Sequence, residues 1–212
     1  MQRDQVWDAE RIRDHGLLVV YANWSYLKNH ALDNGAFRNL ALEWVAYVAG
    51  KRESRRLMGD VVLTQNDILR QVAYEDASVT TSWTIDLHYP DPKNTRFFPG
   101  DEFKAVCNQE EIELYPIPYR CFYSRNVSNL FMAGRNISVT HVALGTVRVM
   151  RTTAMMGEVV GMAAAVCRRH DVLPRTVYTS YLPELRSLMQ KGCGQQNLPN
   201  NQQFNIGRRK HH

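Results

Sequence analysis

An α+β fold is predicted from three features of the sequence, which order the chain as helices, then strands, then helices. The first fifty residues space their apolar side chains helically. After Gly50 the period shortens and Thr, Val, Trp and Ile alternate with polar residues. Beyond residue 129 a short apolar run leads into a long helical pattern built of small residues.

In the first third, Val6, Ile12, Leu17, Leu18, Tyr21, Trp24 and Leu27 predict a helix from Trp7 to Lys28, broken near Gly16. Leu40, Trp44, Val45 and Val48 predict a second helix over Phe37–Ala49, stopped by Gly50. ESRRLMGDVVLT reads as two short extended pieces around Met58-Gly59-Asp60. Asn66 and Asp67 then cap a short helix from Ile68 to Tyr74. SVTTSWTIDLHY is β-rich. PDPKNTRFFPGDE, with three prolines and a glycine, is a loop. IELYPIPYRCFYS is extended again, and Pro116 and Pro118 confine it to an edge or irregular strand. Together these pieces predict an irregular mixed sheet.

The last third reads as strand, loop, helix, helix. Leu130–Ala133 form a short buried strand, and a helix runs from Thr146 to His170 with Pro174 beyond it. A final helix covers Tyr181–Lys191, with Pro183 and Glu184 in its first turn and Gly192 at its end. The pattern divides the chain into 1–128, helices then strands, 129–192, strand, loop and helices, and a tail, 193–212.

Composition excludes several classes. With 44% hydrophobic residues and a mean hydropathy of −0.40, no apolar run approaches the roughly 20 residues of a membrane span. MQRDQVWDAERIRD has neither the apolar core nor the cleavage site of a signal peptide. Cys107, Cys121, Cys167 and Cys193 make no C-x-x-C pair, which argues against zinc. A net charge of +5 lies in short clusters, KRESRR, RRH and GRRKHH, without a nucleic-acid-binding signature. There is no G-x-S-x-G elbow, no H-E-x-x-H helix and no assignable carboxylate pair, so hydrolase and lyase chemistry lack support.

AGRNISVTHVALGTVRVM (133–150) holds the densest set of candidates. A helix starting at Thr146 would present unpaired amides near Gly145, Thr146, Val147 and Arg148, a setting that favours an anion. Behind it, Ala154, Gly157, Gly161 and Ala164 make a helix face with little bulk; each glycine costs roughly 1 kcal/mol relative to alanine. That face implies close packing against a sheet or helix.

NLFMAGRNISVTHVALGTVRVMRTTAMMGEVVGMAAAV resembles the C-terminal flavin-binding segment of FAD-dependent oxidoreductases of the glutathione-reductase-like superfamily. More narrowly, it is similar to a bacterial group sometimes labelled xanthan lyases. GKRESRRLMGDVVLTQNDI, SWTIDLHYP and YPIPYRCFYSRNVSNLFMAGRNIS resemble that group in the same order, so the likeness covers about residues 35–192. It implies FAD as cofactor, with Gly134, Arg135, Asn136 and Ser138 toward the ribityl–phosphate portion. Gly145, Thr146, Val147 and Arg148 would lie at the ring edge, where positive potential stabilises reduced flavin. His141 is then either an acid, base or hydrogen-bond donor beside the cofactor, or structural.

The superfamily's G-x-G-x-x-G turn is missing from the twelve glycines. The chain therefore reads as the C-terminal portion of a flavoprotein whose N-terminal FAD-binding half is a partner. The alternative is a non-catalytic binding module on a degenerate flavoprotein scaffold. For a small-molecule or carbohydrate-derived substrate, Arg55 is a candidate for carboxylate or hydroxyl recognition, or else pairs with Glu53 or Asp60. His88 is a candidate base oriented by Asp86, or one member of a simple sheet pair. Tyr115, Tyr119 and Tyr123 line a sugar-binding surface or pack the sheet.

Overall fold

The computed structural model describes residues 4–30, 35–90 and 105–192. Most of the proline-rich loop after Tyr89 and the whole tail from Cys193 lie outside them. The chain is α+β and forms two compact units, 1–54 and 55–212.

The first unit is built on α1, Ala9–Asn29, which runs unbroken through Gly16. No neighbour comes within 4 Å of a β-carbon placed at Gly16, so that glycine costs propensity without forcing a break. The expected second helix does not form. Residues 35–39 turn, and 40–46 are irregular. A 13-residue segment is marginal as a helix without a buried face, and Leu40, Trp44, Tyr47 and Val48 are all exposed. Instead the Lys28 ammonium holds the segment, donating to the carbonyls of Phe37, Arg38 and Leu40.

The second unit opens with an irregular run ending in α2, Gln65–Leu69. Its cap is Thr64, not Asn66 or Asp67. Thr64 accepts from the Asp67 amide while the Asp67 carboxylate accepts from the Thr64 amide, a reciprocal capping box that satisfies two orphan donors. The expected strands at 53–64 reduce to one parallel bridge, Leu63 to Val139.

Four strands follow: β1, Ala77–Thr81; β2, Ile85–Pro90; β3, Ala105–Glu110; and β4, Tyr115–Pro118. They pair as two antiparallel ribbons, β1 with β4 and β2 with β3. SVTTSWTIDLHY is thus split between two ribbons, and β3 was not anticipated. In the first ribbon the register shifts between Ala77 and Val79. In the second it is regular, from Ile85 opposite Glu110 to Pro90 opposite Ala105.

The C-terminal helices are α3, His141–Val147; α4, Met150–His170; α5, Pro174–Ser180; and α6, Leu182–Lys191. Pro183 lies in the first turn of α6, and Gly192 ends it at φ 67°. At the end of α4, Asp171 adopts the left-handed conformation. There Glu184 pairs with Arg169 and with His170 Nε2, at 2.7 Å for the latter. The sequence pattern marks only Pro174 beyond α4, and the structure has α5 there.

One core joins the strands and helices of the second unit. Val79, Ile117, Tyr119, Phe122, Met156, Val159, Val166, Val177 and Leu185 are wholly enclosed. Residues on both sides of position 128 contribute to this core. Tyr115, Tyr119 and Tyr123 belong to it rather than to a sugar-binding surface. Each phenol has a partner: Thr146 Oγ1 at 3.1 Å, the Pro174 carbonyl at 2.8 Å and Asp60 Oδ2 at 2.7 Å. Beneath them the Asp76 carboxylate, fully enclosed, accepts from the guanidinium and the amide of Arg120.

Candidate functional site

Residues 130–140 form an irregular connection that bends and turns between 134 and 138 and leads into α3. The expected strand Leu130–Ala133 is a single antiparallel bridge, Phe131 to Tyr123. Met132 is buried, whereas Ala133 is exposed because the chain turns at Gly134. Gly134 has φ 101°, a conformation that strains any residue with a β-carbon, and its amide points to Met156 Sδ at 3.4 Å. Arg135 and Asn136 are exposed at this turn.

Backbone bonds then anchor the connection. The Leu57 amide donates to the Asn136 carbonyl, the Ser138 amide to Cys121, the Leu63 amide to Ser138 and the Thr140 amide to Leu63. Arg55, exposed in coil, thus lies two residues before a segment bonded to Asn136. Ser138 is buried, and its Oγ has no hydrogen-bond partner. A buried hydroxyl left unpaired costs about 1–3 kcal/mol. His141 is exposed as the first residue of α3, after the N-cap Thr140.

The second group of sequence candidates has a different setting. The helix does not begin at Thr146. α3 begins five residues earlier, and Val149, extended at ψ 148°, separates it from α4. Gly145, Thr146 and Val147 are buried within α3, so their amides are not the free donors of a helix start. Gly145 lets α3 approach β2, because a β-carbon there would meet the Asp86 carbonyl oxygen at 2.9 Å. Thr146 Oγ1 donates to the Trp83 carbonyl at 2.5 Å. Arg148 donates to the Asp86 carbonyl at 2.9 Å, with its guanidinium 3.6 Å from Asp86 Oδ2.

Asp86 is therefore a hub. His88 Nε2 lies 2.8 Å from Asp86 Oδ1, as alternation along β2 predicts. Burial pushes the Asp86 carboxyl up, but the hydrogen bond and charge of His88, with Cys107 and Arg148, outweigh it and hold it below the usual range. Cys107, directly opposite His88 in β3, completes the group. Sequence spacing does not link Cys107 to the pair, because the link is the β2–β3 register across a proline-rich stretch.

The candidates thus fall into two sets. Gly134, Arg135, Asn136, Ser138 and His141 lie along the connection into α3, with Arg135, Asn136 and His141 exposed and Ser138 buried. Gly145, Thr146, Val147, Arg148 and His88 lie where α3 meets β2. Among the described residues, no helix is long and apolar enough to cross a membrane.

Neither a curated protein nor a solved structure matches the chain. A family model does, over residues 2–189, nearly the whole sequence. That family is described as FAD dependent oxidoreductase, and the chain belongs to it.

Proposed function

We propose that this chain supplies the C-terminal part of a flavin oxidoreductase that moves hydride between an organic substrate and FAD. Within the family we assign it to the glutathione-reductase-like bacterial group that its sequence resembles. The observation that carries the reading is the Gly134–Ser138 connection: a left-handed glycine, two exposed polar side chains and an unpaired buried hydroxyl in five residues. These features fit a ribityl–phosphate chain. Gly134 exposes main chain without a β-carbon, the Arg135 guanidinium suits phosphate, and Asn136 and Ser138 Oγ suit hydroxyl groups.

Bound flavin supplies the two-electron chemistry. The chain's residues then have distinct tasks. Arg135 and Asn136 orient the phosphate and ribityl portion. His141, exposed at the end of the connection, holds or releases a proton at its imidazole. Gly145, Thr146 and Val147, being enclosed, act on this site only by fixing α3. Arg148 keeps β2 against α3 through the Asp86 carbonyl.

We assign the remaining part of the cofactor site to a G-x-G-x-x-G-bearing half of the protein. Two surfaces support such a partner. Ala154, Gly157, Gly161 and Ala164 form an exposed small-residue face on α4, and a β-carbon at either glycine would find nothing within 4 Å. The first unit exposes Leu18, Tyr21, Trp44, Tyr47 and Val48, a degree of apolar exposure that marks interaction surfaces.

The test is the visible spectrum after FAD addition and desalting, for this chain alone and with a G-x-G-x-x-G-bearing half co-produced. Flavin bands should persist in the pair and weaken strongly when Arg135 and Asn136 are replaced by alanine. A colourless pair, or bands indifferent to that double change, would remove the connection from the cofactor site.

A further inference from the structure

We infer that Asp86, His88 and Cys107 form a binding site for a divalent transition cation of the zinc type, closing the β2–β3 ribbon. The three residues stand on one face of the ribbon. Asp86 and His88 are two apart on β2, and Cys107 is the cross-strand partner of His88. All three side chains point one donor atom at the same spot. His88 Nε2 is 2.8 Å from Asp86 Oδ1, Cys107 Sγ is 3.6 Å from Asp86 Oδ1, and Cys107 Sγ is 3.9 Å from His88 Nε2.

Those separations discriminate between chemistries. A Cys–His–Asp catalytic relay needs the carboxylate and the thiol on opposite nitrogens of the ring. Here both lie against Nε2, so no relay exists. A tetrahedral cation with typical zinc–ligand bond lengths has ligand–ligand edges of about 3.3 Å for nitrogen to oxygen and about 3.6 Å for either to sulfur. The three observed distances lie within about half an ångström of those edges. Small side-chain rotations suffice to reach them.

The donor set, one thiolate, one imidazole and one carboxylate, suits a borderline cation. With His88 and Cys107 exposed, a fourth position opens to water. The Asp86 carboxylate carries its own support: Arg148 lies 3.6 Å from its second oxygen and leaves Oδ1 for the cation. Binding must displace protons. The Cys107 thiol gives its proton to solvent, and the His88 ring gives up the proton at Nε2 and keeps one at Nδ1, so that the Nε2 lone pair is free. The cation opposes the local bias, in which desolvation and the Asp86 carboxylate raise the Cys107 thiol above its ordinary value.

A two-stranded ribbon is marginal by itself in water. The cation would tie β2 to β3 beside Gly145 and Arg148, where α3 rests on β2. The site stands independently of the flavin reading, since it needs neither FAD nor a second half.

Cobalt(II) titration of the whole chain tests it, with His211 and His212 replaced by glutamine in every sample to remove the terminal pair. One equivalent should give tetrahedral visible bands and a sulfur-to-cobalt charge-transfer band, and zinc should displace it. Cys107→Ala should abolish the charge-transfer band, and His88→Gln should weaken binding at least tenfold. Cys167→Ala and Cys193→Ala should leave both unchanged. A chain that shows no charge-transfer band, or keeps it in Cys107→Ala, overturns the assignment.

Discussion

Gly145 of α3 lies so close to Asp86 of β2 that a β-carbon would meet three backbone atoms, the carbonyl oxygen at 2.9 Å, the nitrogen at 3.1 Å and the carbonyl carbon at 3.3 Å. Backbone cannot rotate away as a side-chain tip can. Glycine to alanine within a helix normally gains about 1 kcal/mol; here overpacking reverses the sign. Gly145→Ala should cost about 1–3 kcal/mol, read as a lower urea midpoint. Gly157→Ala and Gly161→Ala, which meet nothing, should each stabilise the isolated chain by about 0.5–1 kcal/mol. The same two changes should weaken association with a partner that uses the α4 face. Equal midpoints for all three variants would mean that α3 and β2 separate freely.

Arg120→Ala should be among the most damaging single changes. It leaves the Asp76 carboxylate, whose side chain is 0% exposed, without its bidentate guanidinium. Losing one member of a buried pair costs about 3–5 kcal/mol. The Arg120 amide, still donating to Asp76 Oδ2, tempers the loss only in part. Equilibrium unfolding of the variant measures it, and a loss below 1 kcal/mol, by the standard of exposed pairs, would contradict the burial of this one.

Acid should weaken the contact between α5 and the loop at Asp60. Burial raises the Asp60 carboxyl, but hydrogen bonds from Arg175 and Tyr123 and the charges of Arg175 and Arg125 outweigh it, so its pKa falls below 3.8. A depressed carboxyl pKa adds stability that is full above the unfolded value and is lost as pH falls through the folded one. The loss therefore begins below about pH 4. Arg175→Ala should flatten this part of the stability–pH curve. A curve of the same shape in both proteins would assign the acid sensitivity elsewhere.

Ser138→Ala separates a structural from a ligand-facing hydroxyl. The Oγ is buried without a partner, so its removal should leave the isolated chain unchanged or up to about 1 kcal/mol more stable. In the flavin-bound pair the same change should lower FAD affinity several-fold, as fluorescence titration would show. Loss of stability without loss of affinity would place the hydroxyl in the core alone.

Patterns that act within a few residues were readable from the sequence. The 150–170 portion of the long helix, the break at Gly192 and β character within 78–89 follow from periodicity and punctuation, and the structure has them, with β1 and β2 covering 78–81 and 85–89 of that stretch. What depended on distant contacts was not readable. The sequence pattern starts a helix at Thr146, yet Gly145 answers to Asp86, some sixty residues away. Phe37–Ala49 had the right apolar spacing but no surface to bury it against. Alternation alone put His88 beside Asp86, whereas the link to Cys107 required knowing that β3 pairs with β2 in that register. The family likeness was carried by the order of several local motifs, which needs no tertiary knowledge.

Among the described residues each strand has one strand neighbour, so both ribbons have outer rows of amides and carbonyls that no other strand pairs, with α3 and Arg148 against β2 at Asp86. The rows are not equivalent. β4 carries Pro116 and Pro118, which remove two donors and make its outer side a poor template for another strand. β3 reads AVCNQE, without proline, and among the described residues no third strand covers it. Self-assembly of this chain at high concentration would therefore begin by edge-to-edge recruitment at β3, and an added lysine or proline there should act as a gatekeeper against fibre growth.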